Sequence, residues 1–70
     1  MGIRVKEYKY LEKKGYYKVV LDNGDKLNLT KREMSELKIK DSHEHLLFES
    51  TSGKWYKPYT VADEVHFMES

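Results

Sequence analysis

The chain has no cysteine and a single proline, Pro58, among its 70 residues. Without cysteine there is no disulfide staple and no thiolate zinc site. No apolar run approaches the ~20 residues of a membrane span, and the N-terminus lacks the apolar core of a signal peptide. A cytoplasmic protein with no membrane partner is therefore expected. P-loop, dinucleotide-binding and nucleophile-elbow patterns are all missing. Seventy residues are also too few to wrap a deep pocket of the usual enzyme size. An enzyme is not expected, and no cofactor is implied. With no linker, low-complexity stretch or internal repeat, residues 1–70 read as one domain.

So short a chain buries only about 60% of the surface its unfolded form exposes, which points to a stability near ~5 kcal/mol. What it does contain is tyrosine: six of its nine aromatic residues. Tyrosine joins an apolar body to a polar tip and serves half-buried strands and binding faces alike. Charge is also abundant but uneven. Residues 1–20 carry six Lys/Arg and two acids, residues 21–40 five and four, and residues 41–70 two and six. Such asymmetry can mark a basic binding face. The expected reading is a basic first strand lying beside an acidic last one, neutralised within the fold.

The local signals are sharpest at Leu29-Thr30-Lys31-Arg32-Glu33-Met34. Thr30 and Glu33 have the spacing of a capping box, and Leu29 and Met34 that of a hydrophobic staple. A helix from Lys31 to about Lys38 follows, with Met34 and Leu37 facing a sheet. Lys38 and Lys40 suit the negative end of its dipole, Ile39 tucks under, and Asp41-Ser42 turns. Before the helix, Ile3 to Leu11 and Tyr16 to Leu21 read as strands joined by a turn at Lys13-Lys14-Gly15. In the first strand Ile3, Val5 and Leu11 share one parity. Arg4, Lys6, Tyr8 and Tyr10 share the other, expected to be the wet side.

Asp22-Asn23-Gly24 marks a hairpin, and parity selects its turn. A two-residue loop would split the apolar residues between faces. A three-residue loop puts Tyr17, Val19 and Leu21 on the same face as Leu29, Leu27 and Asp25. This predicts a type I turn with Gly24 left-handed and a G1 bulge. After the helix, strands are expected over His45 to Ser50, Lys54 to Val61 and Val65 to Met68, with turns at Thr51-Ser52-Gly53 and Ala62-Asp63-Glu64. Pro58 lacks an N–H, so its strand is an edge, a bulge, or paired on one side there.

The fold expected is α+β: a small twisted antiparallel sheet of five to six short strands, curled towards a partly open barrel, with one short helix after the third strand. Its core is expected to hold Val5, Val19, Leu21, Leu27, Leu29, Met34, Leu37, Leu47, Val65 and Phe67, with Trp55 near the edge. Over 45–50 either parity can face inward.

Two surfaces stand out. Lys54, Trp55, Tyr56, Lys57 and Tyr59 interleave aromatics with lysines, the mixture found at protein–protein hot spots and on platforms that stack single-stranded bases. The same letters also suit a core Trp55 with Tyr59 packed beside it. Arg4, Lys6, Tyr8, Tyr10 and Lys18 form a basic-aromatic set that could meet phosphates, although Glu7 and Glu12 interrupt it and a solvated strand face explains it as well. His43-Glu44-His45, with His66, offers imidazoles in a metal-ligand style; a polar turn explains these residues equally, and no metal is expected. No family motif is present. In size and in richness of Lys and Tyr, the chain resembles the small accessory proteins of phages and mobile elements. The function expected is docking on a larger protein as an accessory regulator or inhibitor. Nucleic-acid binding is the alternative, and self-assembly through an edge strand a third.

Overall fold

The computed structural model describes residues 2–37 and 46–70. Its elements are β1 (Ile3–Leu11), β2 (Tyr16–Leu21), β3 (Lys26–Thr30), α1 (Lys31–Leu37), β4 (Phe48–Glu49), β5 (Trp55–Val61) and β6 (Glu64–Glu69). The strands make one antiparallel sheet in the order β3-β2-β1-β6-β5-β4. The sheet nearly closes on itself. Leu27 of β3 bridges Ser50, and the Thr51 N–H donates to the Lys26 carbonyl at 2.8 Å. The fold is thus a small barrel-like sheet with one short helix, mostly strand, as the alternation and turn signals imply.

The β2–β3 hairpin has the three-residue loop that parity demands. Tyr17 pairs with Leu29 and Val19 with Leu27. The Leu21 N–H donates to the Asp25 carbonyl at 2.8 Å, and Gly24 adopts φ 92°, a left-handed conformation that only glycine reaches cheaply. The capping box is formed in both directions: the Thr30 N–H donates to Glu33 Oε1 at 2.8 Å and the Glu33 N–H to Thr30 Oγ1 at 3.2 Å. With only seven residues, α1 is too short to stand on propensity. It is held by Leu37, which is buried, and Met34, which packs against the core. The expected helix end at Lys38, Ile39, Lys40, the Asp41-Ser42 turn, the His43-Glu44-His45 group and the start of strand four fall outside the described residues.

Three details differ from the sequence reading. First, the pairing of β1 with β2 slips between Val5 and Glu7: Val5 opposes Leu21 but Glu7 opposes Val20. One extra residue, Lys6, makes a β-bulge and reverses the parity beyond it. Tyr8 and Tyr10, opposite Val19 and Tyr17, therefore lie on the inner side of the sheet and not with Arg4 on the outer one. Second, Phe48 is buried and Leu47 is 51% exposed, so Leu47 is not a core residue. Third, the β5–β6 turn is tighter than expected. Ala62 and Asp63 both take positive φ, 50° and 67°, and Glu64 already pairs with Val61.

The core is Val19, Leu21, Leu27, Leu29, Leu37, Phe48, Tyr56 and Phe67, with Val5, Met34 and Val65 half-buried around it. Pro58 is also fully buried, opposite Phe67. It sits past the end of β4, which reaches β5 only at Trp55 and Tyr56, so its missing N–H leaves no ladder bond unmade.

Candidate docking face on the outer side of the C-terminal strands

Tyr56 and Pro58 point inward, so alternation turns Trp55, Lys57, Tyr59 and Val61 outward along β5. Directly paired residues share a side, which adds Glu49 opposite Trp55, Met68 opposite Lys57, His66 opposite Tyr59 and Glu64 opposite Val61. Arg4 of β1, opposite His66, completes this side. Trp55 is 48% exposed, Val61 51% and Met68 43%. With Leu47 next to β4, this half of the sheet holds four of the five exposed large hydrophobic side chains among the described residues; Tyr8, 60% exposed, is the fifth. Trp55 is therefore a surface residue and not the edge of the core.

The face is ordered by pairing across strands. The Tyr59 ring stacks on His66 with centroids 5.4 Å apart. It also lies directly over Gly2, where a Cβ would collide with the Tyr59 hydroxyl, so glycine permits this approach. Glu64 Oε2 stands 3.6 Å from both Arg4 Nη2 and His66 Nε2. Both Arg4 and Glu64 are well exposed, so this pair adds little stability. It is also where the basic first strand meets the acidic last one, as the charge distribution implies.

Of the five residues expected here, Lys54 is exposed in the β4–β5 turn, Trp55 is on the face, and Lys57 and Tyr59 are half-buried on it. Tyr56 is not on the face. Its ring is fully buried and its hydroxyl donates to Asp25 Oδ2. Asn23 Nδ2 donates to the Tyr56 hydroxyl at 3.1 Å, and the Ser52 hydroxyl donates to Asp25 Oδ1 at 2.8 Å. Ser50 Oγ lies 2.9 Å from Ser52 Oγ and accepts from the Lys54 N–H at 3.1 Å. The β2–β3 and β4–β5 turns are thereby tied together by side chains. Hydrogen bonds from Tyr56 and Ser52, helped by the Lys54 charge, hold the Asp25 carboxyl below its usual range. Burial, then the bond to Asp25, pushes the Tyr56 phenol up. The sequence held a signal for this arrangement: the hairpin register already puts Asp25 on the apolar face, where a carboxylate needs donors.

The second expected set is divided by the bulge. Arg4 is on the outer face beside His66, and Lys6 is exposed at the bulge. Tyr8 and Tyr10 pack around Tyr17 with centroids 6.1 and 4.9 Å away, and Lys31 Nζ sits 4.8 Å over the Tyr10 ring. Lys18 faces outward opposite Lys9 and Asn28. Lys26, opposite the outward Val20, shares that side. The alternation of the sequence missed this grouping of Lys9, Lys18 and Lys26. Among the described residues, no cluster of three or more His, Cys, Asp or Glu could hold a metal ion, and no helix is long and apolar enough to cross a membrane. Comparison with known protein families, curated proteins and solved structures finds no match.

Proposed function

We propose that the chain is a non-enzymatic binding protein that docks on a larger protein through the outer side of β4, β5 and β6, and that it acts there as a regulator or inhibitor. One observation carries the reading: among the described residues most of the exposed large hydrophobic side chains, Trp55, Val61, Met68 and Leu47, gather on one half of the sheet. Scattered exposed apolar residues need no explanation, but a grouped set containing Trp and Met suits an interface. Charges of both signs around it, Lys54, Lys57 and Arg4 against Glu49 and Glu64, favour one partner orientation over others.

The test is capture of partners from source-cell lysate by the tagged chain, with and without nuclease, read by mass spectrometry. Wild type and Trp55→Ala are compared. A dominant protein that survives nuclease and is lost with Trp55→Ala, in a variant whose melting is unchanged, supports the reading. Equal recovery by both overturns the assigned face.

A second reading, nucleic-acid binding, is favoured by Lys9, Lys18 and Lys26 on the outer side of β1–β3, none of which has a carboxylate partner among the described residues. It predicts an affinity for single-stranded DNA or RNA that falls steeply with salt and is weakened by Lys18→Glu. Unchanged nucleic-acid mobility at low salt ends it.

A further inference from the structure

The barrel wall is split on one side. β1 is nine residues long, yet β6 pairs with it only at Ile3 and Arg4. From Glu7 to Leu11 the strand is paired with β2 alone, and its other edge has no strand partner among the described residues. β6 begins at Glu64. A segment running antiparallel to β1 along this edge would therefore continue the line of β6 beyond its first residue. Beside the edge lies a groove of about 590 Å³ whose floor includes Val5, Val19, Met34, Val65 and Phe67. Tyr8 stands at its side with most of its ring in solvent.

We propose that this edge takes up an extended peptide segment of a partner protein, which adds to the sheet as a strand antiparallel to β1. Bare strand edges are templates for any chain, and proteins blunt them with bulges and lysines. Here the bulge at Lys6 and the charges of Glu7 and Lys9 remain, so uptake is selective. The selection follows from register. Tyr8 and Tyr10 are on the inner side and Lys9 on the outer, so the incoming strand needs apolar residues opposite the tyrosines and an acidic residue opposite Lys9. A second copy of this strand fits less well than such a peptide: centred on Lys9 it sets Lys9 against Lys9, and centred on Tyr8 it brings Glu7 to Lys9 but sets Lys6 of the bulge against Tyr10. The site meets the docking face proposed above only at its rim, where Arg4 and Glu64 line the groove, and does not depend on it.

A library of random linear peptides displayed on phage, panned against the intact chain, tests this directly. The expected binders alternate apolar and acidic residues, and on binding they slow amide hydrogen exchange within 7–11 of β1. Tyr8→Asp should weaken a selected peptide about tenfold or more through lost apolar contact. Because Tyr8 is largely in solvent, its melting should change little. Lys9→Glu should weaken the peptide by up to about fivefold, and a peptide carrying Lys in place of the acid should recover the loss. Three results overturn the proposal: no peptide selected above an unrelated control protein, exchange protection confined to other strands, or binding that survives both Tyr8→Asp and Lys9→Glu. Loss with Trp55→Ala and retention in those two variants would move the peptide to the other face and leave the docking proposal standing.

Discussion

The outer side of β1–β3 and the outer side of β4–β6 belong to the same sheet and cover the same core, yet they carry opposite chemistry. On the first, Lys9 stands directly opposite Lys18, with Lys26 nearby and no carboxylate partner for any of them among the described residues. On the second, Trp55, Val61 and Met68 stay in solvent. Each arrangement works against stability: like charges opposed across strands repel, and exposed apolar surface forgoes burial. The core explains neither, so both are where interaction surfaces should be sought, and they call for different partners.

The largest effect expected from disturbing this comparison is at the residue that fixes which aromatic faces out. Tyr56→Ala removes a fully buried ring and should cost about 3–5 kcal/mol, close to the whole stability of a domain this size. Trp55→Ala, one position away, should change stability by no more than about 0.5 kcal/mol. Urea denaturation of the two variants measures the contrast. Equal losses would mean that Trp55 is core and that the docking face is misassigned.

The next effect is that of pH. Asp25 is held below its usual range in the folded chain. Its contribution is therefore fully present above the ordinary aspartate value of about 4 and is lost as pH falls below it. Tyr56 is raised, so the opposite limit applies: stability is full below about pH 10 and declines above it. Thermal melts across pH should lose part of their acid-side slope in Asp25→Asn, and an unchanged slope would show that the Asp25 carboxylate does not contribute. The smallest effect tests the lysine side. Lys9→Glu converts a repulsive cross-strand pair into an attractive one and should raise stability by about 0.5 kcal/mol. A drop would show that the Lys9–Lys18 repulsion is not felt.

The parts of the fold legible in the sequence are those encoded at short range. The β2–β3 turn follows from Asp22-Asn23-Gly24 together with the requirement that the leucines and valines share a side. The start of α1 follows from two residues three apart. Strand β1 has the expected bounds, Ile3–Leu11, but its facing beyond Val5 differs because a bulge adds a residue without altering the letters: Lys6 looks like one more step of an alternation that in fact restarts after it. Around Trp55 and Tyr56 the local sequence offers two aromatics of opposite parity and no means to choose. Tyr56 is the one that meets Asp25, 31 residues away, a contact that could be read only by asking what answers a carboxylate placed on an apolar face. Lys54, Trp55, Lys57 and Tyr59 could thus be picked as candidates by type, but not sorted by direction. The pairing of Lys9 with Lys18 needed the hairpin register.

The tie between the two turns also bears on how the chain folds. The contacts within β1–β2, β2–β3 and the cap of α1 join residues close in sequence and cost little loop entropy to make. Closure does not: Leu27 meets Ser50 and Asp25 meets Tyr56 across the helix and everything that follows it. The β1–β6 pairing of Ile3 with Phe67 closes a longer loop still, so the loop entropy of the barrel falls on these two joins, and it is at the first, the seam, that several side-chain hydrogen bonds are concentrated. The bonds that hold the Tyr56 hydroxyl join the two halves of the chain and so exist only once the barrel has shut, which ties the inward place of Tyr56, and with it the outward place of Trp55, to closure.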